Sequence, residues 1–137
     1  MIRVNVVVEG QTEESFVNNV LARVLWPRNI LLSARLLGVP GHKGGRPNYA
    51  RLKKDVLLSL RQDRTAFCSM MLDLYGLGPG FPGTPLPPRF SGIEKAAQIE
   101  DAVKNEILRP YSRPASRHSV LALYSSARIR GPAFQRP

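Results

Sequence analysis

Cysteine and long apolar runs are the features that this sequence most clearly lacks. Cys68 is the single cysteine, so no disulfide can form within the chain, and a reducing compartment fits this composition. No apolar run approaches the length of a membrane span. The first apolar run is short, contains Arg3 and Asn5 and ends at Glu9, unlike a signal peptide. These absences predict a soluble, cytoplasmic protein without a membrane partner.

Acidic residues are also scarce, and none follows Glu106. The chain has 137 residues, 20 Lys and Arg, 10 Asp and Glu, and a net charge of +10. Six arginines lie in residues 107–137, which leaves residues 1–106 with 14 basic and 10 acidic residues and a net charge of +4. A strongly basic chain favours a polyanionic partner such as nucleic acid. The alternative is a generally basic protein whose charge has no such meaning.

Three short apolar runs are typical of buried strands. They cover residues 2–8, 30–37 and 65–72, and the first is rich in β-branched residues. Cys68 lies in the third run, where a small core residue is expected rather than a nucleophile.

Three other segments repeat apolar residues at helical spacing. The first is predicted to begin with Thr12 as its N-cap and to end at Trp26-Pro27. The third opens with the capping-box pattern of Ser91 and Glu94. The apolar positions are Phe16, Val17, Val20, Leu21, Val24 and Leu25; then Tyr49, Leu52, Val56 and Leu60; then Ile99, Val103 and Ile107.

Alternation of strands and helices predicts an α/β domain with a mainly parallel sheet. Ligands of such sheets bind beyond the carboxyl ends of the strands. Glu9 ends the first strand and Asp73 the third, so we expect both at one edge, with Glu13 one turn into the adjoining helix. Carboxylates suit Mg²⁺ or Mn²⁺, which could polarise a substrate phosphate.

Three acids, Glu13, Glu14 and Asp73, also have a purely structural interpretation. Glu13 and Glu14 lie in the first turn of a helix, where the helix dipole favours negative charge. This interpretation is favoured for Glu14 and stays open for Glu13. Asp73 could simply begin a turn before Tyr75 and Gly76.

The glycine-rich basic stretch "GHKGGR" is a second candidate for ligand binding. Gly44 and Gly45 would let the backbone approach a phosphate, while Lys43 and Arg46 supply positive charge. It is not a Walker loop, because the lysine precedes the paired glycines and no Ser or Thr follows it. The alternative is a surface loop without a ligand.

Three stretches, "VEGQTEESF", "GHKGGRPNYARLKKD" and "MLDLYGL", resemble the domain-of-unknown-function 4276 family. That bacterial family is grouped with the Toprim-like domains of topoisomerases, primases and overcoming-lysogenization-defect nucleases. The resemblance covers residues 1–107 and implies a Toprim-like parallel sheet flanked by helices.

The resemblance also implies roles for particular residues. Toprim domains carry a glutamate after the first strand, which is Glu9 here. They also carry an Asp-x-Asp pair after a later strand. This sequence has only the first acid of that pair, Asp73, because Tyr75 replaces the second. In the nuclease branch a further acid helps to hold the metal, which by position is Glu13. Such proteins often work beside an ATPase of the AAA or ABC type in phage defence.

The tail, residues 108–137, departs from the family pattern. Family members continue with a Glu-Phe-Glu-Ala-Leu-Leu-Phe block, whereas this tail is rich in Arg, Ser and Pro. Residues 127–136 can be encoded by a DNA sequence that, read one base later, encodes Leu-Ala-Phe-Glu-Ala-Leu-Leu-Phe. We therefore hypothesise a frameshift near residues 107–109, which leaves a truncated or degenerate C-terminal part. A gene sequence without that block in the next frame would refute this. The alternative is a disordered basic tail that binds nucleic acid.

Taken together, the residues and the resemblance predict a Mg²⁺- or Mn²⁺-dependent, nuclease-like protein. Glu9 would serve as metal ligand or general acid and base, Asp73 as metal ligand and Glu13 as secondary ligand. The alternative is a degenerate Toprim module without catalysis, which binds an ATPase partner or nucleic acid.

Overall fold

Three parallel strands form the sheet in this computed structural model, which describes residues 1–38 and 48–109. The strands are β1 (Ile2–Val8), β2 (Ile30–Leu36) and β3 (Phe67–Met71), and their order in the sheet is β2-β1-β3. The three predicted strands are confirmed, each within two residues of its expected ends. The predicted α/β class with a parallel sheet is therefore confirmed.

The register of the sheet brings the carboxyl ends of its strands together. Val8 is the partner of Leu36 on one side and of Met71 on the other. The residues that follow all three strands therefore emerge at one edge, as the alternating pattern predicts.

The segment after β1 is a continuous but irregular helical stretch. It consists of α1 (Gln11–Phe16), a π-helical segment (Val17–Leu21), α2 (Ala22–Leu25) and a 3₁₀ turn (Trp26–Arg28). The prediction that Thr12 caps this helix is wrong. Gly10 is the N-cap, in an extended conformation, and no side chain supplies a capping hydrogen bond. The helix thus begins directly after Glu9 and Gly10.

Two longer helices cover the opposite face of the sheet. They are α3 (Tyr49–Gln62) and α4 (Gly92–Leu108). Asn48 caps α3 by accepting the Ala50 N–H at 2.9 Å. The predicted capping box of α4 is confirmed, because Ser91 and Glu94 each accept the backbone N–H of the other.

The main core lies between the sheet and these two helices. The predicted apolar faces of both helices are confirmed here. The buried residues include Leu52, Val56 and Leu60 from α3, Ile99, Val103 and Ile107 from α4, and Val7, Cys68 and Met70 from the sheet. Burial also raises the pKa of the Cys68 thiol to about 11, which fits a core residue rather than a nucleophile.

A smaller core lies on the other face, beneath the first helical stretch. Its buried members are Val6, Val8 and Val17, with Val4, Leu21, Leu32, Ala34 and Met71 packed around them. One helical stretch covers this face within the described residues, whereas two helices cover the main core.

No helix among residues 1–38 and 48–109 is both long enough and apolar enough to cross a membrane. The stretch with Lys43, Gly44, Gly45 and Arg46 and nearly all of the tail lie outside the described residues. The proposed boundary between residues 1–107 and 108–137 therefore stays a prediction.

Candidate functional site

Glu9 is the residue that β1 delivers to the ligand-binding edge. Val6, Val7 and Val8 are buried on the two faces of the sheet, which fixes the strand in place. Glu9 follows at once and is half-buried. The apolar run therefore fixes the backbone position of Glu9 at this edge.

Asp73 lies beside Glu9, as the two strand ends predict. The backbone N–H of Asp73 donates to Glu9 Oε2 at 3.2 Å. The pairing of Val8 with Met71 accounts for this contact, because it aligns the ends of β1 and β3. Two acids that are 64 residues apart in sequence thus meet at one sheet edge.

Asp73 also caps a turn, so its structural interpretation is correct as well. Its Oδ1 accepts the Tyr75 N–H at 3.0 Å and begins the 3₁₀ turn Leu74–Gly76. The carboxylate is exposed, and this contact occupies one of its two oxygens. Asp73 can therefore shape the turn and still offer an oxygen to a ligand.

Glu13 approaches the same place from the first turn of α1. A methyl group added at Gly10 would lie 3.0 Å from Glu13 Oε2, so this carboxylate lies over Gly10, next to Glu9. Glu14 occupies the same helical turn but is not among the groups that perturb Glu9. Glu13 is thus the acid of this helix that faces the strand end.

The electrostatics of the cluster raise the pKa of Glu9 above its ordinary value. Burial of the carboxyl is the largest cause, and the N–H of Asp73 opposes it by stabilising the anion. The negative charges of Glu13 and Asp73 add to the increase. Ionised Glu9 therefore lies in an environment that a bound cation would stabilise.

Gly76 leaves open space against both of the principal acids. A methyl group added there would lie 3.6 Å from Glu9 Oε1 and 3.6 Å from Asp73 Cβ. Sequence reasoning did not identify this role of Gly76. The signal in the sequence is that Gly76 follows Asp73 by three residues, which places a residue without a side chain close to that acid.

The carboxylates at this edge suit a metal ion that keeps part of its water shell better than one enclosed entirely by protein ligands. Within residues 1–38 and 48–109, no three or more His, Cys, Asp or Glu side chains are grouped as a metal site. Mg²⁺ needs only one or two carboxylates and keeps several waters. Glu9 and Asp73 meet that requirement, and Glu13 lies close enough to interact through its charge.

The end of β2 reaches the same edge and leads toward the basic stretch. Leu37 donates its N–H to Val8 O at 2.8 Å, and Gly38 donates to Asp55 Oδ2 at 2.9 Å. The sequence pattern did not predict that Asp55 would hold the end of β2 by accepting the Gly38 N–H. The predicted phosphate ligands Lys43, Gly44, Gly45 and Arg46 lie outside the described residues, so their role stays a prediction.

Comparison with known proteins identifies a family but no activity. A family described as Domain of unknown function (DUF4276) matches residues 8–123. The match extends beyond the expected limit at residue 107 and includes part of the tail. No curated protein and no solved structure matches the chain. Because the matched range covers most of the 137 residues, the chain belongs to the DUF4276 family.

Proposed function

We propose that this chain is a Toprim-like, divalent-metal-dependent enzyme that cleaves nucleic-acid phosphodiesters. Glu9 and Asp73 would bind Mg²⁺ or Mn²⁺, and Glu13 would be a secondary ligand. The observation that carries the proposal is the meeting of Glu9 and Asp73 at the carboxyl edge of the sheet. Ligands of parallel α/β sheets bind at that edge.

The cost of assembling these acids supports a cation as their partner. Burial raises the pKa of Glu9 most, and the like charges of Glu13 and Asp73 add to the increase. No Lys or Arg in the described residues is among the groups that perturb it. Such a perturbation is typical of functional sites. A bound cation would remove the repulsion between Glu9, Glu13 and Asp73.

The substrate class follows from charge and from what such an ion can do. A bound divalent ion supplies a positive charge that polarises a phosphoryl oxygen. Burial and the neighbouring acids raise the pKa of Glu9, which suits this carboxyl to hold or accept a proton during the reaction. Lys43, Gly44, Gly45 and Arg46 would hold a substrate phosphate. The family resemblance alone adds to the proposal that the protein works in the cytoplasm beside an AAA- or ABC-type ATPase, in phage defence.

Metal titration is the direct test of the proposed site. Calorimetry with Mg²⁺ and Mn²⁺ should show one saturable site in the wild-type chain. Glu9→Gln and Asp73→Asn should each weaken it about tenfold or more, because each removes one charged ligand. Glu14→Gln is the matched control, since it removes an acid from the same helical turn, and it should leave the affinity unchanged.

Cleavage assays then test the activity itself. Single- and double-stranded DNA and RNA should be offered with Mg²⁺ or Mn²⁺, in both the present chain and the frame-restored one. Equal cleavage by Glu9→Gln and the wild type would refute the catalytic assignment.

A non-catalytic module is the second candidate, and Tyr75 favours it. The resemblance to Toprim domains places a second acid at this position, whereas the chain has an exposed tyrosine. Such a module would bind an ATPase partner or nucleic acid through its surface. It needs no metal, so the absence of a saturable Mg²⁺ or Mn²⁺ site near Glu9 would decide in its favour.

A further inference from the structure

The first helical stretch has more apolar surface than the small core uses. Val17 and Leu21 face the sheet and pack in that core. Phe16, Val20 and Val24 form a second stripe at a spacing of four residues, which places them on one flank of the helix. Phe16 is half-buried, whereas Val20 is 47% exposed and Val24 is 60% exposed. This flank is therefore an apolar surface without a full covering among the described residues.

Asn18 shows which way this flank faces. Its Oδ1 accepts the Ala34 N–H of β2 at 3.3 Å, so Asn18 lies on the side of the helix near β2. Val20 follows two residues later, on roughly the opposite side of the helical stretch. The stripe of Phe16, Val20 and Val24 therefore lies on the side of the helical stretch away from β2, which is the side of β1 and β3 in the strand order β2-β1-β3.

The sheet below this flank is also incompletely covered. Ile2 is 48% exposed and Phe67 is 38% exposed. Side chains alternate along a strand, and Val4 and Met71 pack in the small core, so Ile2 and Phe67 lie on that same face. Val4 and Phe67 are partners in the register of the sheet. We call the surface formed by Ile2, Phe16, Val20, Val24 and Phe67 the lateral groove.

We infer that a second copy of this chain occupies the lateral groove, related by a two-fold axis perpendicular to the first helical stretch. The exposed apolar side chains of the lateral groove lie beside one helix, and the stripe of Phe16, Val20 and Val24 in a second copy is an apolar flank that would cover them. One surface thus offers both the groove and the element that fills it. A two-fold contact requires this kind of self-complementarity.

The charges of the helical stretch support an antiparallel arrangement of the two copies. Glu13 and Glu14 lie at its beginning, Arg23 and Arg28 lie near its end, and no acid occurs between Glu14 and Asp55. A perpendicular two-fold axis makes the two stretches antiparallel, which places the acidic end of one beside the basic end of the other. A parallel pair would instead bring the arginines together.

The oligomeric state of the full chain tests this inference. As the concentration is raised to about 100 μM, sedimentation equilibrium should show a species of twice the chain mass of 15.2 kDa. Val20→Lys should raise the dimer dissociation constant about tenfold or more, because it places a charge in an apolar contact. Leu58→Lys is the matched control, since Leu58 is also 47% exposed but lies on α3. It should leave the dissociation constant unchanged.

Cysteine cross-linking gives a second measurement that does not depend on a destabilising charge. The native Cys68 is buried, so Val24→Cys introduces one accessible thiol. A short bifunctional thiol reagent should cross-link Val24→Cys into dimers and leave Leu58→Cys monomeric. A wild-type chain that stays monomeric throughout the concentration range would refute the inference. Equal effects of the Val20 and Leu58 variants, or equal cross-linking at both positions, would refute it as well.

Discussion

Gly76→Ala should weaken metal binding without destabilising the fold. The added methyl carbon would lie 3.6 Å from Glu9 Oε1, 3.9 Å from Glu9 Oε2 and 3.6 Å from Asp73 Cβ. These are ordinary van der Waals separations, and Gly76 does not have a positive φ, so alanine fits the backbone. The perturbation is therefore confined to the space that the two acids share.

The expected magnitudes follow from this geometry. Replacement of glycine by alanine at a compatible position reduces the entropy of the unfolded chain and stabilises the fold by about 0.4–1 kcal/mol. A Mg²⁺ ion lies about 2 Å from a carboxylate oxygen and carries a shell of waters. A methyl group 3.6 Å from Glu9 Oε1 would overlap that shell. Loss of one favourable water position should weaken binding about tenfold, or about 1.4 kcal/mol.

The assay combines calorimetric titration of Mg²⁺ with unfolding in urea. Gly78→Ala is the control, because a methyl group there would meet no atom within 4 Å and its φ is also ordinary. It should match Gly76→Ala in stability and the wild type in affinity. Wild-type affinity in Gly76→Ala would show that no ion binds between Glu9 and Asp73. Equal weakening by Gly78→Ala would show that the effect is not local.

Two further predictions concern stability and its dependence on pH. Ser91→Ala should destabilise the fold by about 1 kcal/mol in urea unfolding at pH 7, because α4 loses its capping side chain. Hydrogen bonds from Ser91 lower the pKa of Glu94, so the capping-box contribution is present above pH 4.5 and falls in more acidic solution. An equal penalty in acid would contradict this account. Glu9→Gln should stabilise the metal-free protein, by roughly 1 kcal/mol or less because the site is partly exposed. The folded-state pKa of Glu9 lies above 4.5, so the cost of its charge is greatest at neutral pH and is relieved as the pH falls toward 4.5. Unfolding curves at several pH values should therefore converge in acid, and a gap that widens there would contradict the sign.

The elements that the sequence predicts correctly are those with strong local signals. The valines of β1 indicate a buried strand without reference to any other segment, and Ser91 and Glu94 form their capping box within a single turn. The spacing of Ile99, Val103 and Ile107 likewise determines which side of α4 is buried. Each of these patterns depends on neighbours within a few residues, so the local sequence alone is enough to predict the element.

The start of the first helix shows where local reasoning fails. Thr12 has a side chain suited to capping, yet Gly10 occupies the N-cap position. The reason is that Glu9 is fixed by the end of β1, and the helix begins directly after Gly10, whose extended backbone joins the strand to the helix. The preference of a single residue for the cap is about 1 kcal/mol and yields to the position of the strand. The exposure of Val20 and Val24 is similar, because periodicity predicts an apolar flank but cannot say whether anything covers it.

The meeting of Glu9 and Asp73 combines both kinds of information. Strand ends in a parallel sheet predict that the two residues share an edge, but only the order β2-β1-β3 makes them neighbours. With β3 outside β2 instead, Asp73 would be two strands away from Glu9. The cluster around Glu9 opposes stability, because burial and the charges of Glu13 and Asp73 raise the pKa of Glu9, and the Asp73 N–H offsets only part of this increase. An arrangement that served the fold alone would not need a carboxylate at this position, since glutamine could accept the same N–H without the charge. The cost falls on the residue that directly follows β1 at the carboxyl edge of the sheet, and this coincidence is the physical argument for a cation between the two acids.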